Sequence, residues 1–244
     1  MKILATVVSG AEAKLVADMV DLIDVKDPSK GSLGAPDQVT VHNIRMAIGS
    51  QGPLSVAMGD IDQENPHAVV ELGRLMAGAG ATMLKVGLTT IPEDVAAKTL
   101  GELKKAVSAN VQVAAVAYAD AEDNGFFAPV NLPAIAKEAG LDGIMIDTFI
   151  KAPDQSSLDC LSEEIIKSIF DEARKLGLRT ALAGGLDMEH IDEVVRAGPD
   201  IVGFRTAITS EGEREKSGID RGKINKLKMR IRIAVKKWSK PTGA

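Results

Sequence analysis

Short runs of β-branched and small apolar residues recur along the chain, and each precedes a turn signal and a longer stretch with helical periodicity. The count is about eight: KILATVV, DLIDVK, LSVAMGD, TMLKVGL, VQVAAVAYAD, GIMIDTF, RTALAGG and DIVGFR. This alternation predicts an α/β fold, a (β/α)8 TIM barrel, with residues 1–244 as a single domain. An open doubly wound sheet shows the same alternation but usually has fewer strands.

Between these runs, periodic segments predict helices at Pro92 to Ala109 and at Leu161 to Leu176. Asp187 is the expected N-cap of a helix that ends near Gly198. Two long loops, at 27–38 and 209–220, separate the regular elements, and long loops in compact domains often have functional roles. The sequence leaves open whether the second loop acts as a lid.

The last segment, Arg221 to Lys240, predicts a helix with one apolar face and many basic residues elsewhere. That face consists of Ile224, Leu227, Ile231 and Val235. The helix either packs as the last helix of the barrel or binds an anionic surface.

The amino-acid composition supports a barrel fold and argues against several classes of binding protein. Hydrophobic residues make up 45% of the chain but aromatic residues only 3%, which favours a parallel sheet covered by helices over a β-sandwich. A net charge of −5 argues against a nucleic-acid or anionic-membrane binder. The N-terminal apolar run is short for a signal peptide, and no run of about 18 apolar residues predicts a membrane helix. We therefore expect a cytoplasmic location, without nucleic-acid or membrane partners.

A cofactor is not expected. The single cysteine, Cys160, excludes an intrachain disulfide and a cysteine-based zinc site. His42, His67 and His190 fall in predicted helices or loop starts and not at strand ends, so we expect no metal. Carboxylates at the mouth of the barrel could still bind Mg²⁺.

Charged and polar side chains are concentrated near the predicted strand ends, where barrel enzymes build their active sites. They are Asp24 and Lys26, Lys85, Tyr118 and Asp120, and Asp147 and Lys151. A lysine inside an apolar strand, as in TMLKVGL, requires a partner or a wet cavity. Lys85 is therefore either half of a structural ion pair, with Asp24 or Asp147, or a catalytic group.

Two lysines at one barrel mouth favour the catalytic interpretation. Neighbouring ammonium groups disfavour each other's charge, which leaves neutral amine available near neutral pH. A neutral amine adds to a carbonyl and forms a Schiff base, which acidifies the adjacent C–H bond. A nearby lysine or carboxylate can then accept that proton. The residues predict aldol chemistry without a metal.

Glycine-rich turns after the last two strands indicate a phosphate site. Gly184 and Gly185 follow strand seven, while Gly203 and Arg205 end strand eight. Ser9, after strand one, could close the same cup. The alternative is that the glycines serve only as tight turns.

The motifs DLIDVKDPSKGSLGA, MLKVGL, AAVAYAD, MIDTFIK, ALAGGL and DIVGFR occur in this order over nearly the whole chain. In this the chain resembles the (5-formylfuran-3-yl)methyl phosphate synthase family of methanofuran biosynthesis. The resemblance implies condensation of two glyceraldehyde 3-phosphate molecules, with loss of phosphate and water. It further implies that Lys26 forms the Schiff base and Lys85 accepts the proton, and that Asp24, Asp147 and Lys151 line the site.

Two rival functions are compatible with the same residues. A generic metal-free aldolase or phosphotriose isomerase would use similar groups but a single phosphate pocket. A non-catalytic regulatory or scaffold protein would use its basic last helix to bind a partner. The oligomeric state, monomer or homo-oligomer, stays open because no coiled-coil heptad occurs.

Overall fold

Eight parallel strands form the centre of the computed structural model, which describes residues 1–152, 154–210 and 218–238. Each strand pairs with the next in sequence order, and the last pairs with the first, so the sheet is a closed barrel. The strands are β1 (Lys2–Val7), β2 (Leu22–Val25), β3 (Leu54–Asp60), β4 (Met83–Gly87), β5 (Gln112–Tyr118), β6 (Gly143–Asp147), β7 (Arg179–Leu182) and β8 (Ile201–Phe204). The predicted (β/α)8 barrel is confirmed.

Helices lie between the strands and cover the outside of the barrel. They are α1 (Gly10–Val16), α2 (Gln38–Ile48), α3 (Ala68–Gly78), α4 (Glu93–Ala106), α5 (Ala121–Asn124), α6 (Leu132–Glu138), α7 (Ser157–Cys160), α8 (Glu163–Lys175), α9 (Ile191–Ala197) and α10 (Arg221–Trp238). None of the helices in the described ranges combines the length and the apolar content needed to cross a membrane.

Helix α8 illustrates how the local sequence builds this outer layer. Ser162 is its N-cap and accepts a hydrogen bond from the backbone of Ile165, which satisfies one of the free N–H groups of the first turn. The helix buries a stripe with helical spacing, formed by Ile166, Ile169, Phe170 and Ala173. This stripe packs on β6 and β7, so one face of the helix holds it against the barrel.

The predicted helices differ from the structure in detail, and α8 spans only Glu163–Lys175 of the predicted Leu161 to Leu176. Helix α4 ends at Ala106 and not at Ala109, because the next residue has extended backbone. The N-cap of α9 is His190 and not Asp187, whose carboxylate instead accepts the backbone N–H of Glu189 at 2.8 Å. An acidic residue near a helix start can cap a separate turn in this way.

The last helix also differs from its prediction at both its end and its face. The predicted end at Lys240 lies outside the described residues. The buried face continues through Ala234, whereas Val235 is 37% exposed. In the loop at 209–220, Thr209 pairs with Ile219 in an antiparallel bridge. Residues 211–217, on which a role of this loop as a lid would depend, lie outside the described residues.

The barrel interior changes from apolar to polar along its axis. At the amino ends of the strands, an apolar cluster fills the interior: Leu4, Leu22, Met83 and Ile201. Toward the carboxyl ends, polar side chains are buried, among them Thr6, Asp24, Lys85 and Asp147. Burial of polar groups is unfavourable unless they are paired, so this end of the barrel requires a specific arrangement of partners.

Candidate active site

A cavity of about 420 Å³, counted with its solvent-open mouth, lies at the carboxyl ends of the strands. Its walls come from β1, β2, β4, β6 and β8 and from turns after the strands, including the turn that follows β7. The charged residues in its lining are Asp24, Lys26, Lys85, Asp147, Lys151 and Arg205. Known (β/α)8 enzymes place their active sites at this end of the barrel, so this cavity is the candidate active site.

Lys85 and Asp24 form a buried ion pair at the floor of the cavity. Lys85 Nζ lies 2.8 Å from Asp24 Oδ1, and the two side chains are 3% and 1% exposed. The other carboxylate oxygen, Oδ2, accepts a hydrogen bond from Thr6 Oγ1 at 3.2 Å. Asp24 Oδ1 has no aligned hydrogen-bond donor among the described residues, so its contact with Lys85 is ionic. The ion pair considered from the sequence is therefore present, and it faces the cavity.

Small residues on β3 make this contact possible. In the barrel register Ser55 stands beside Asp24, and Ala57 stands beside Lys85. Because neither side chain fills the interior between β2 and β4, the lysine can reach across to the aspartate. Sequence reasoning could not find this, since the register of β3 is set by closure of the barrel.

Lys26 enters the same cavity from the residue after β2. Its side chain is buried, with 6% of the residue exposed, and Nζ donates to the backbone carbonyl of Ser32 at 3.1 Å. Two lysines and one aspartate thus share one cavity, although they come from β2 and β4. The arrangement places an amine and a possible proton acceptor around the same volume.

A second pair, Lys151 and Asp147, forms another wall. Lys151 Nζ lies 2.6 Å from Asp147 Oδ1 and 3.0 Å from Thr148 Oγ1, and it also donates to the backbone carbonyl of Thr148. Asp147 Oδ1 further accepts the backbone N–H of Thr148 at 2.8 Å. Lys151 is 19% exposed, so part of it remains accessible from the cavity mouth.

The glycine turn after β7 lies against this second pair. Gly184 and Gly185 have φ values of 98° and 61°, a region that favours glycine. A Cβ on Gly184 would lie 2.8 Å from the backbone nitrogen of Thr148, and one on Gly185 would lie 2.3 Å from the carbonyl of Gln155. Only glycine fits at either position. Without side chains, the backbone of the turn packs directly against the segments at Thr148 and Gln155 and lines the cavity. Such an exposed backbone can bind an anion through its N–H groups.

Arg205 lines the cavity but also has structural partners. Its Nη1 and Nη2 donate to the two carboxylate oxygens of Glu12 at 2.7 and 3.0 Å, and Nη1 also contacts the carbonyl of Thr6. Ser9 is the N-cap of α1, where its hydroxyl accepts from the backbone of Glu12 at 3.3 Å. Among the described residues, Gly203 and Arg205 line the cavity and Ser9 does not. Thr206 also lines the cavity, although the sequence analysis did not predict it as a site residue.

Beside the cavity, Tyr118 and Asp60 form a pair that sequence reasoning missed. The hydroxyl of the fully buried Tyr118 donates to Asp60 Oδ1 at 2.5 Å. Burial raises the pKa of Asp60, while the hydrogen bond from Tyr118 opposes this rise. Burial and the Asp60 charge raise the pKa of Tyr118, so its hydroxyl stays protonated. A Cβ on Gly87 would lie 1.9 Å from Asp60 Oδ1, so the pair depends on this glycine.

Asp120, predicted as a strand-end carboxylate, supports the loop after β6. Its oxygens accept the backbone N–H groups of Phe149 and Ile150 at 2.7 and 2.8 Å. These residues lie between Asp147 and Lys151. Asp120 therefore shapes the loop that carries the second ion pair.

The histidines lie elsewhere in the described structure. His67 Nδ1 lies 2.9 Å from a carboxylate oxygen of Glu102, and His190 Nδ1 lies 2.7 Å from one of Asp187. No histidine occurs among the described residues that line the cavity. The titratable groups there are lysines, aspartates and one arginine.

Comparison with known proteins identifies the family. The family model described as 4-HFC-P synthase matches residues 3–228. The chain belongs to this family. It is 36% identical over 233 residues to the (5-formylfuran-3-yl)methyl phosphate synthase of Methanocaldococcus jannaschii, a match that covers 93% of this chain and 98% of that protein. The enzyme of the same name from Methanosarcina mazei is 34% identical over 224 residues, with 89% and 94% covered.

Solved structures resemble this 4-HFC-P synthase family member in fold alone. A 3-hexulose-6-phosphate synthase superposes with a TM-score of 0.65 at 16% identity, covering 96% of this chain and all of that one. Phosphoribosyl anthranilate isomerase from Thermus thermophilus superposes with a TM-score of 0.58 at 14% identity, covering 96% and 99%. Membership of a synthase family supports an enzymatic function for this chain.

Proposed function

We propose that this protein condenses two molecules of glyceraldehyde 3-phosphate into (5-formylfuran-3-yl)methyl phosphate through a Schiff base on Lys26. The observation that carries the proposal is the joint placement of Lys26, Lys85 and Asp24 around one cavity, in a chain of the 4-HFC-P synthase family. A cavity with amines, carboxylates and a glycine turn suits a phosphorylated carbonyl substrate.

Lys26 acts as the nucleophile. Its amine adds to the carbonyl of one triose, and loss of water produces an iminium ion. The positive nitrogen withdraws electrons from the neighbouring carbon, so a C–H proton there becomes acidic. The position of Lys26 supports this role, because its side chain is buried and lines the cavity.

Lys85 accepts that proton as a neutral amine, and Asp24 stabilises the ammonium that results. The 2.8 Å separation of Lys85 Nζ and Asp24 Oδ1 supports this division of roles, because the carboxylate favours the protonated product. The ion pair described above is the resting state: Lys85 becomes a neutral amine when it protonates the hydroxyl that leaves as water during iminium formation, and it returns to the paired state after proton transfer. Removal of the proton leaves an enamine, which attacks the aldehyde of the second triose.

The Lys151–Asp147 pair serves the later steps. Lys151 is the more exposed of the two and stands beside the glycine turn, a position suited to a phosphate group or to the oxygen that leaves during dehydration. Gly184 and Gly185 provide backbone for that phosphate beside the Lys151–Asp147 pair, and Gly203 with Arg205 adds backbone and positive charge on the β8 side of the cavity. Overall, one phosphate and two waters leave, and the reaction needs no oxidant or reductant.

Borohydride trapping tests this proposal. The protein is incubated with glyceraldehyde 3-phosphate and reduced, and the adduct is located by peptide mass mapping, while ultraviolet absorbance follows furan formation in an unreduced sample. Lys26→Met is expected to abolish both the adduct and the furan. Lys30→Met is the matched control, because Lys30 lies in the same loop but is exposed and paired with Asp27.

Each outcome bears on a different part of the proposal. An adduct on Lys26 together with a furan product supports it fully. An adduct on Lys85 or Lys151 retains the imine and overturns the role of Lys26. An adduct without furan supports a generic aldolase, and neither adduct nor furan supports an isomerase or a non-catalytic protein. The cytoplasmic location and the absence of macromolecular partners stay predictions.

A further inference from the structure

The loop after β2 folds over the cavity end of the barrel. The backbone N–H of Asp27 donates to the carbonyl of Gly34 at 2.9 Å, which closes the loop on itself. Leu33 is 1% exposed and packs in the cluster that contains Tyr118 and Met145. Its carbonyl accepts the backbone N–H of Gly59 at 2.8 Å. The loop is thus docked on the barrel through both apolar and polar contacts.

Ser32 lies at the centre of this docked loop and contacts two parts of the candidate active site. Its backbone carbonyl accepts Lys26 Nζ at 3.1 Å. Its hydroxyl donates to the backbone carbonyl of Thr148 at 2.7 Å, a contact between residues 116 positions apart. The same carbonyl of Thr148 accepts Lys151 Nζ. A continuous chain of hydrogen bonds therefore runs from Lys26 through Ser32 to the Lys151–Asp147 pair.

We propose that Ser32 is a positioning residue that holds Lys26 in register with Lys151 and Asp147, an inference that rests on the proposed function. The lysine side chain is long and flexible, so an amine that attacks a carbonyl needs an external group to hold it. The carbonyl of Ser32 is that group. The hydroxyl of Ser32 fixes the carbonyl by tying the loop to the strand that carries Asp147.

The contact also suits the intermediate. An iminium nitrogen formed on Lys26 retains a single N–H bond, and the carbonyl of Ser32 is placed to accept it. A fixed N–H direction fixes the plane of the iminium, and with it the C–H bond that Lys85 must reach. Misplacement of a reacting group by about 1 Å can lower a rate about 100-fold.

Ser32→Ala tests this inference without leaving a buried acceptor unpaired, because the carbonyl of Thr148 still receives Lys151. We expect kcat to fall about 10- to 100-fold and KM to change less than about threefold. The borohydride adduct on Lys26 should form correspondingly more slowly. Ser32→Thr, which retains the hydroxyl, should recover most of the rate.

Ser29→Ala is the matched control, since Ser29 belongs to the same loop but is exposed and bonds to Asp27. It should behave as the wild type. Melting temperatures of all variants show whether any loss reflects unfolding. If Ser32→Ala does not fold, Ser32→Cys, which keeps the volume and replaces the hydroxyl by a weak donor, takes its place.

Two results would overturn the role of Ser32. One is a wild-type kcat in the folded Ser32→Ala protein. The other is a raised KM with unchanged kcat, which would assign Ser32 to substrate binding. Failure of the proposed function is distinguishable from both, because the wild type itself would then form no adduct on Lys26.

Discussion

The buried Lys85–Asp24 pair yields a quantitative prediction for Asp24→Asn. The substitution removes the negative charge, keeps the shape of the side chain, and retains an oxygen that can accept from Thr6. At the observed separation of 2.8 Å, two unit charges attract by about 6 kcal/mol if the effective dielectric constant is about 20. Desolvation of both ions offsets much of this attraction in the wild type.

In the variant the attraction is lost, but the desolvation of Lys85 remains. Breaking a buried pair in this way typically costs about 3–5 kcal/mol. The protein can instead release a proton from the lysine, and for a lysine in free solution at pH 7 that costs about 5 kcal/mol. Both routes give the same range, which for a chain of 244 residues corresponds to a fall in Tm of about 6–20 °C.

Urea unfolding followed by circular dichroism, together with thermal melts, measures the loss. Glu172→Gln is the matched control, because Glu172 pairs with Lys175 at 3.1 Å with side chains 52% and 72% exposed. Its expected effect is about 0–1 kcal/mol. Adding Lys85→Met to Asp24→Asn should recover much of the stability, since the orphaned charge is then removed as well.

The reasoning is refuted if Asp24→Asn loses less than about 1 kcal/mol while the m-value is unchanged. Lys85 would then carry no charge in the folded enzyme at rest. The proposed proton transfer would start directly from that state, and Asp24 would act only after transfer.

Two further predictions concern the glycine turn and the pair beside the cavity. Gly185→Ala should destabilise the fold more than the control Gly125→Ala. Both glycines have a left-handed φ, 61° and 65°, so the backbone strain is similar, but an added Cβ meets a backbone oxygen only at Gly185. Gly125→Ala should lose about 1 kcal/mol of stability and keep the wild-type KM. Equal decreases of Tm in the two variants would show that the Cβ contact at Gly185 has no effect. Tyr118→Phe should lose about 1–3 kcal/mol at pH 8, because the buried Asp60 carboxylate loses its hydrogen-bond donor. Because the pKa of Asp60 is raised by burial, its contribution to stability is present at low pH and is lost as the pH rises through the folded pKa. Removing the Tyr118 hydroxyl raises the pKa of Asp60 further, so the stability lost by Tyr118→Phe should be smaller at acid pH. Urea unfolding at pH 5 and pH 8 measures this, and an equal loss at both pH values would contradict the argument.

Sequence reasoning succeeded where the signal is local. The eight apolar runs, the helices between them and the strand-end positions of Asp24, Asp147 and Lys151 follow from periodicity and from the common architecture of barrels. The motifs pointed to the family that the family model later matched over residues 3–228. One group of errors concerns boundaries, as at Asp187, where a short turn and a helix start compete for the same capping carboxylate, and another concerns the buried face of the last helix, where Ala234 replaces Val235.

The partners of each functional group came only from the tertiary structure. Arg205 was predicted to bind phosphate, but its guanidinium also donates hydrogen bonds to Glu12, which is 193 residues away in sequence. Ser9 faces the start of its own helix, although its position after β1 is compatible with the phosphate cup. Tyr118 and Asp60, 58 residues apart, meet because Gly87 leaves space between them.

The sequence by itself determined the number of strands, the barrel class and the residues that carry charge to the mouth, because side-chain periodicity and strand ends are properties of short segments. Only the tertiary structure decided which charges meet. Closure of the barrel sets the register of its strands, and a shift of one residue would turn Lys85 away from Asp24 and toward the helices. The ion pairs and the docking of Ser32 on Thr148 therefore depend on contacts that no local pattern encodes.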